Sequence, residues 1–199
     1  MTTGVTTYSI DQAGFYELLD EGDECTGGSN PPVYADQIPI GCVNEGTLEE
    51  VVTEASIRGG NKVCKRASRL DEVTVNIKHV GLNPDLVAAA RAFVLTAFSS
   101  GGVDGWTLVR NFGSNLVRGA IIMRAPDPDG TGDLHIIIPN IEFTTGPGAG
   151  FADDTWFESN FGGHGDPSLY APCTRAYWFN AHTNGIVDIP TAWPGETDY

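Results

Sequence analysis

The sequence predicts a mainly β protein, an antiparallel β-sandwich or barrel-like sheet with one flanking α-helix. One observation is the alternation of apolar and polar residues from 69 to 80, the period of a strand with one buried face. A second is the capped, helically spaced segment from 83 to 98. Most remaining apolar runs are short and fit strands. A length of 199 residues fits one domain, residues 1–199, with a sizeable core.

The N-terminal part is predicted to hold an arm, a short strand and a long loop. The arm covers about residues 1–13, and the apolar cluster 14–19 forms the short strand. Residues 26–46 are rich in Gly and Pro and show little periodicity, which predicts a long loop. Compact domains rarely carry such a loop without a use.

A long β-hairpin is predicted around Gly59-Gly60-Asn61. Residues 47–58 fit both a helical spacing and one face of a strand, and we interpret them as a strand. Residues 62–80 form the second strand. Because the intervening sequence favours a turn, the two strands are expected to pair with each other, and the sheet is expected to be antiparallel.

The helix has a well-marked start. Asn83 is a good N-cap, Pro84 occupies the first helical position, and Asp85 places negative charge at the positive end of the helix dipole. Helical spacing then continues, and we expect the run to stop at residues 99–102, Ser-Ser-Gly-Gly. The residues at helical spacing are Leu86, Ala89, Ala90, Phe93, Val94 and Ala97.

Further strands are predicted after the helix. Residues 106–112 form an edge strand or a packed loop. Residues 115–125 and 134–143 are strong strands that flank an Asp- and Gly-rich turn and form a second hairpin. Residues 151–161 are expected to form another strand, which the glycine-rich segment 162–167 breaks.

Residues 165–199 are predicted to form an extended, packed C-terminal segment with little regular pattern. The final third of the chain is rich in aromatic residues, which can pack in a core, anchor a subunit interface or stack on sugars. For these aromatic residues the sequence favours core packing and a subunit interface equally. The aromatic set comprises Trp156, Phe157, Phe161, Tyr170, Tyr177, Trp178, Phe179 and Trp193.

Composition limits the classes of function. Eleven Lys and Arg against 26 Asp and Glu give a net charge of −15, which opposes direct binding to nucleic acid. No apolar stretch approaches the roughly 20 residues needed to span a bilayer, and the N-terminus lacks secretory-signal features, so folding in a cytoplasm is expected. The cysteines lack zinc-site spacing and are expected to be free, buried thiols. They are Cys25, Cys42, Cys64 and Cys173.

One loop has a spacing that suits a hard cation. Asp127, Asp129 and Asp133 surround a glycine, as calcium ligands do. The loop lacks the distal Glu of a full calcium loop and lies between strands. We therefore interpret it as a solvated hairpin turn and keep the three aspartates as weak metal candidates.

Histidines supply the remaining candidate chemistry. His164 lies near Asp166 in a glycine-rich segment, which could provide a general base or a metal ligand, although we interpret His164 as a loop residue. His79, His135 and His182 lie on separate segments, and a three-histidine site would require them to converge in space. The chain has no nucleophile elbow, phosphate loop or dinucleotide fingerprint. Neither an enzyme nor a cofactor is therefore predicted.

The order of parts resembles the major tail tube proteins of long-tailed bacteriophages. In that family a strand with an Arg-x-Asp-x-Val-x-Val type of pattern runs into a short helix carrying Asn/Asp-Pro-x-Leu, and the resemblance covers about residues 45–160. The residues in corresponding places are Arg69, Asp71, Val73 and Val75, then Asn83, Pro84 and Leu86.

The resemblance implies a tail tube fold whose subunits form rings, usually of six, that stack into a hollow tube. An acidic lumen would let viral DNA pass without specific binding. The loop at 26–46 would reach the next ring, and the terminal segments would extend those contacts. Implied partners are further copies of the chain and the tape measure, terminator and distal tail proteins. The implied location is the virion tail, assembled in the host cytoplasm.

Two other classes remain as alternatives. One is a monomeric β-sandwich that binds carbohydrate through Trp and Tyr and is stabilised by calcium at Asp127, Asp129 and Asp133. The other is a metal-dependent hydrolase centred on His164 and Asp166. Capsid decoration proteins and tail completion proteins are related alternatives, which the sequence separates poorly from a tail tube subunit.

Overall fold

The computed structural model describes residues 2–22, 31–59, 62–127, 131–149, 158–166 and 176–194. The described chain is mainly β with one helix, which confirms the predicted fold class. No helix among these residues is long and apolar enough to cross a membrane. In chain order the elements are β1 (Thr2–Tyr8), β2 (Gln12–Asp20), β3 (Val33–Tyr34), β4 (Ile38–Ile40), β5 (Val43–Gly59), β6 (Lys62–Val80), α1 (Pro84–Arg91), β7 (Val94–Ser100), β8 (Val103–Val109), β9 (Arg118–Pro126), β10 (Asp133–Ala149), β11 (Glu158–Gly165) and β12 (Trp178–His182).

Ten strands form one antiparallel sheet, and β7 and β8 form a separate two-stranded sheet. The order in the large sheet is β1-β5-β6-β11-β10-β9-β2-β3, with β12 also paired to β10 and β4 to β2. The predicted hairpins β5–β6 and β9–β10 are both present. Residues 106–109 belong to strand β8. This segment was expected to form either an edge strand or a packed loop, and it forms a strand.

One core joins both halves of the large sheet. Leu48 and Val75 from one half belong to the same buried cluster as Phe15 and Ile136 from the other. Contact between strands that lie so far apart in the sheet order requires the sheet to fold back over itself, as in a sandwich. The core therefore lies between two regions of a single curved sheet.

Helix α1 closes one side of this core. Leu86, Val87 and Ala90 are fully buried. The Oδ1 atom of Asn83 accepts hydrogen bonds from the backbone N–H groups of Asp85 and Leu86, both at 3.1 Å, which confirms the predicted N-cap. The helix is thus fixed at its start by capping and along its length by burial.

The predicted end of the helix is wrong. The helix stops at Arg91, and Ala92 takes a left-handed conformation with φ of 53°. The β-branched Val94 and Thr96 then favour a strand. Gly101 and Gly102, with φ of 63° and 80°, supply the two positive-φ positions of a tight hairpin turn. Three residues counted in the helix therefore lie beyond it: Phe93, Val94 and Ala97.

Strands also occupy segments that were predicted to be irregular. The predicted arm contains β1, which pairs with β5 along its whole length, since Thr- and Val-rich sequences favour strands. The predicted loop 26–46 contains β3, β4 and the start of β5, while residues 23–30 lie outside the described residues. Both short strands pair with β2 and extend the sheet edge.

The glycines of residues 162–165 continue strand β11 and do not break it. A Cβ atom on Gly162 would lie 2.4 Å from Thr145 Oγ1 and 2.6 Å from Asn76 Oδ1. A Cβ atom on Gly163 would lie 2.8 Å from the backbone oxygen of Glu142, so glycine permits this close approach of β11 to β10 without a shift of the neighbouring strand. His164 is consequently a strand residue, not a loop residue. Of the strand predicted at 151–161, residues 151–157 lie outside the described residues.

The described part of the C-terminal segment packs through Ile189 and Trp193 and contains strand β12, which sequence periodicity did not reveal. Cys42 is a free thiol but is exposed, which corrects the expectation of burial. It takes a positive φ of 51° in the turn between the buried residues Ile40 and Val43. Cys25, Cys173 and the side chain of Cys64 lie outside the description.

Candidate functional site

The C-terminal strap, residues 186–193, crosses the face of β2, β9 and β10 that points away from the main core. Ile189 is buried there in a second apolar cluster with Tyr16, Ile122 and Ile137, and Trp193 packs against it. The ring centroids of Tyr16 and Trp193 lie 5.4 Å apart. These strands are therefore buried on both faces.

Arg124 on β9 ties the strap to the N-terminal end of β2. Its Nη2 atom lies 2.8 Å from Asp11 Oδ2, and its Nη1 atom lies 2.8 Å from Asp188 Oδ1. Nη1 also donates to the Val187 carbonyl at 3.3 Å. The hydrogen bond to Asp11 is the main reason that the pKa of Arg124 is raised. The guanidinium thus holds two segments that are distant in sequence.

Three titratable side chains, Asp133, His135 and His182, meet beside the strap. Asp133 and His135 lie two residues apart on β10 and share a face, while His182 on β12 is directly opposite Asp133 in the register. Asp133 Oδ1 lies 2.6 Å from His182 Nδ1, and Asp133 Oδ2 lies 3.4 Å from His135 Nε2. The side chains of Asp133 and His135 are fully buried, whereas that of His182 is 28% exposed.

Val187 links this cluster to the strap. Its backbone N–H donates to Asp133 Oδ2 at 2.8 Å, and its carbonyl oxygen lies 3.0 Å from His135 Nε2. Burial opposes ionisation of Asp133, but hydrogen bonds from Val187 and His182 outweigh it, so the pKa of Asp133 is lowered. Burial also lowers the pKa of His135. The geometry therefore favours a charged aspartate beside a neutral imidazole.

A cleft of about 440 Å³ opens beside the cluster and is lined by Asp127, Thr131, Asp133 and His182 among others. Of the three weak calcium candidates, Asp127 is exposed, Asp129 lies outside the described residues, and Asp133 is buried with the two histidines. No Phe, Tyr or Trp side chain lines the cleft among the described residues. The cleft thus offers polar ligand atoms from its Asp, Thr and His side chains.

The other candidate side chains have separate partners. His164 contacts the carboxylate of Glu72 through Nδ1, whereas Asp166 Oδ2 lies 4.0 Å from Arg118 Nη2. His79 is buried and stacks on Phe161, with ring centroids 5.5 Å apart. Of His79, His135 and His182, which lie on separate segments of the sequence, only His135 and His182 therefore come together in the structure.

One wet face of the large sheet is rich in acidic side chains. The register aligns Glu49, Thr74, His164 and Glu142 in a row across β5, β6, β11 and β10. Partners in an antiparallel register share a face, and none of these four residues is buried. Glu45 and Glu72 flank the row. Strand β1 pairs with β5 alone among the described residues, so this face ends at an open edge.

The far half of the β5–β6 hairpin, which we name the basic hairpin, comprises residues 53–59 and 62–69. Beyond Val52, the described part of β5 pairs only with β6, so residues 53–59 extend about 23 Å from the sheet at about 3.3 Å per residue. Five of the eleven Lys and Arg residues lie in its sequence, and no acidic residue lies between Glu54 and Asp71. The cations are Arg58, Lys62, Lys65, Arg66 and Arg69.

The β7–β8 sheet, which we name the apolar hairpin, has a different surface. The register places Val94 opposite Val109 and Phe98 opposite Gly105 on one face. Phe98 is 49% exposed and Val103, at the turn, is 64% exposed. On the opposite face Leu108 packs against the main core. One face thus anchors the hairpin, and the other presents apolar and Thr side chains without a charged residue.

A comparison with models of known protein families finds no match, and a comparison with curated proteins finds no significant relative. The basic hairpin was not predicted from the sequence, although the cations of this acidic chain are clustered there. The cluster of Asp133, His135 and His182 was not predicted either. The only signal for that cluster was the Asp-x-His spacing, which places two titratable side chains on one face of a strand.

Proposed function

We propose that this chain is a structural subunit, the major tail tube protein of a long-tailed bacteriophage. Its copies assemble into stacked rings, hexameric by family resemblance, that form a conduit for viral DNA. We assign it no catalytic role. The observation that carries the proposal is the separation of charge between a projecting basic hairpin and an acidic body.

The charge separation makes the molecule complementary to itself. Outside the basic hairpin the chain keeps six Lys and Arg against 25 Asp and Glu, a formal balance of −19. A positive projection on one copy is therefore attracted to the negative body of the next. Such a contact joins two different surfaces, and repetition of it produces closed rings or open filaments.

Two other surfaces support assembly. The open edge of β1 can pair with a strand of a neighbouring copy, which would satisfy backbone groups that pair with no second strand among the described residues. The exposed face of the apolar hairpin offers Val94, Phe98 and Val109 for burial. A chain with three separate association surfaces fits a polymerising subunit better than a monomeric binding module.

The acidic wet face supports the role as a conduit. Glu45, Glu49, Glu72 and Glu142 lie on one face of β5, β6 and β10. Lys78 and Arg118 pair with two of these four carboxylates, so the set keeps an excess of negative charge. A wall of this kind repels the DNA phosphate backbone and so lets it slide. Under this proposal the protein is located in the virion tail, and its partners are further copies and the other tail proteins.

Negative-stain electron microscopy of the purified protein over a concentration series tests the proposal. We expect hollow rings or tubes at high concentration and low salt. Analytical ultracentrifugation of the same samples provides the matching mass distribution. A monodisperse monomer at every concentration and salt level would contradict self-assembly and would favour the carbohydrate-binding alternative.

A further inference from the structure

We propose that Asp133, His135 and His182 bind one Zn²⁺ ion, which ties β12 and the C-terminal strap to β10. The three side chains come from two paired strands and offer one carboxylate oxygen and two imidazole nitrogens. These ligand atoms all lie within 4.8 Å of one another. Two imidazoles and a carboxylate form a common zinc ligand set in proteins.

The spacing of the ligand atoms fits a tetrahedral ion after small movements. Ligands about 2.0–2.1 Å from zinc lie about 3.3 Å apart in a tetrahedron. The distance between Asp133 Oδ2 and His135 Nε2 is 3.4 Å. His182 Nδ1 is bonded to the other carboxylate oxygen, Oδ1, at 2.6 Å, so ion binding through Oδ2 requires this imidazole to turn from Oδ1 toward Oδ2. His135 Nε2 exchanges its contact with the Val187 carbonyl for the ion, which requires the tautomer protonated on Nδ1.

The surroundings provide both rigidity and access. The buried side chains of Asp133 and His135 are fixed by strand β10, and the N–H of Val187 orients the carboxylate through a 2.8 Å hydrogen bond. The partly exposed side chain of His182 borders the cleft of about 440 Å³. An ion can enter by this route, and the cleft leaves room for water or the Asp127 carboxylate at the fourth position.

Metal binding would have a structural consequence for the C-terminal segment. Asp133 and His135 belong to the large sheet, whereas His182 is on β12 and Val187 is in the strap. An ion held between them joins segments that otherwise share hydrogen bonds and apolar contacts. The proposal does not depend on assembly, so it can be tested on the monomer, and its failure would leave the proposed function untouched.

The first experiment is calorimetric titration of the full, untagged chain with Zn²⁺ after removal of bound metal by a chelator. We expect binding of about one equivalent and a thermal unfolding midpoint that rises with Zn²⁺. The His182→Gln variant should weaken binding by more than about 100-fold, since even outer partners of metal ligands contribute 10- to 100-fold. The matched control is His164→Gln, an exposed histidine on another face, which should bind as the wild type does.

A second measurement tests the wild-type protein directly and needs no variant. Histidine side-chain ¹⁵N resonances recorded with and without Zn²⁺ should shift for His135 and His182 and remain unchanged for His79 and His164. Absence of Zn²⁺ binding by the wild type would overturn the proposal. Binding that leaves the resonances of His135 and His182 unchanged would do the same, and the cluster would then be a hydrogen-bonded clamp alone.

Discussion

The basic hairpin and the apolar hairpin are both two-stranded projections, yet their chemistry is opposite. The basic hairpin continues two long strands of the large sheet and carries five of the eleven cations. The apolar hairpin is a separate two-stranded sheet that presents Val94, Phe98 and Val109 to solvent. Charge acts over a Debye length of about 10 Å at 0.1 M salt, whereas apolar burial acts only on contact. The first hairpin is therefore suited to attracting a neighbour and the second to holding it.

The two hairpins also differ in how they are anchored. The basic hairpin continues from a sheet in which residues 73–79 of β6 pair with both β5 and β11. The apolar hairpin pairs with no other strand among the described residues and rests on the core through Leu108. An isolated two-stranded sheet is marginally stable in water. The apolar hairpin is therefore expected to gain most of its order from association.

Hydrogen exchange on the monomer should show the largest contrast. We expect amides of residues 73–80 to exchange more than about 1,000-fold more slowly than those of β8, because core strands open with nearly the global unfolding free energy and marginal hairpins open with almost none. Mass-resolved exchange of the two peptides measures the ratio. Equal protection in the monomer would show that β8 is anchored as firmly as the sheet from which the basic hairpin projects, and protection of β8 should rise in assembled samples.

Charge reversal in the basic hairpin should have the next largest effect. The variant Lys62→Glu/Lys65→Glu/Arg66→Glu places negative charge against an acidic neighbour. Because like charges at an interface cost several kcal/mol, the concentration needed for assembly should rise more than about 100-fold. Light scattering recorded over a concentration series measures this threshold. The neutral Lys62→Gln/Lys65→Gln/Arg66→Gln variant should fall between this variant and the wild type. Wild-type assembly should also weaken from 0.05 to 0.5 M salt, as screening requires.

Equal assembly by both triple variants would contradict the electrostatic role. Circular dichroism provides the folding control, since all three positions lie beyond the part of the hairpin that pairs with the rest of the sheet. A gain in DNA binding by the wild type at low salt, lost in both variants, would instead assign the basic hairpin to nucleic acid.

Replacing the apolar surface should have a smaller effect that does not depend on salt. Val94 and Val109 are 53% and 49% exposed, so association can bury about half of each side chain. The variant Val94→Thr/Val109→Thr keeps β-branched residues and should weaken assembly about 10-fold, from about 1.5 kcal/mol of lost burial. Ser99→Thr, on the other face of β7, is the matched control. A loss that disappears at high salt would refute the apolar mechanism.

Local sequence patterns predicted the fold where local physics determines it. Asn83 and Pro84 marked the helix start because capping depends on immediate neighbours. The end of the helix was missed because residues 92–98 fit both the helical and the strand period. Only the Gly101-Gly102 turn commits the segment to a hairpin. The strand through residues 162–165 was missed because glycine signals a turn unless its neighbours require close approach.

The candidate site was less predictable than the fold. The spacing of Asp133 and His135 could be assigned to one strand face, but His182 reaches them through the pairing of β12 with β10. That register joins residues almost fifty positions apart across a segment without clear periodicity. Long-range pairing depends on the whole core, and no local pattern encodes it. The basic hairpin, by contrast, needed only the strand assignment and a count of charges.

The smallest expected effect concerns the buried end of the long hairpin. His79 pairs in register with Val43 at the base of β5–β6, and its Nε2 atom has no hydrogen-bond partner among the described residues. Replacing it by Leu removes a buried, unsatisfied polar group, so the free energy of unfolding at pH 7.5 should rise by about 1 kcal/mol. Urea denaturation measures this change, with the exposed His164→Gln as control.

The same variant should change the dependence of stability on pH. Burial lowers the pKa of His79 below its usual 6.5, so the unfolded chain binds the proton more tightly than the folded protein. The stability that depends on neutral His79 is therefore complete above about pH 6.5 and is lost as the pH falls. Between pH 7.5 and 5.5 the free energy of unfolding should decrease more for the wild type than for His79→Leu. Equal losses would mean that His79, at the end of β5–β6 remote from the basic hairpin, does not contribute to the dependence of stability on pH.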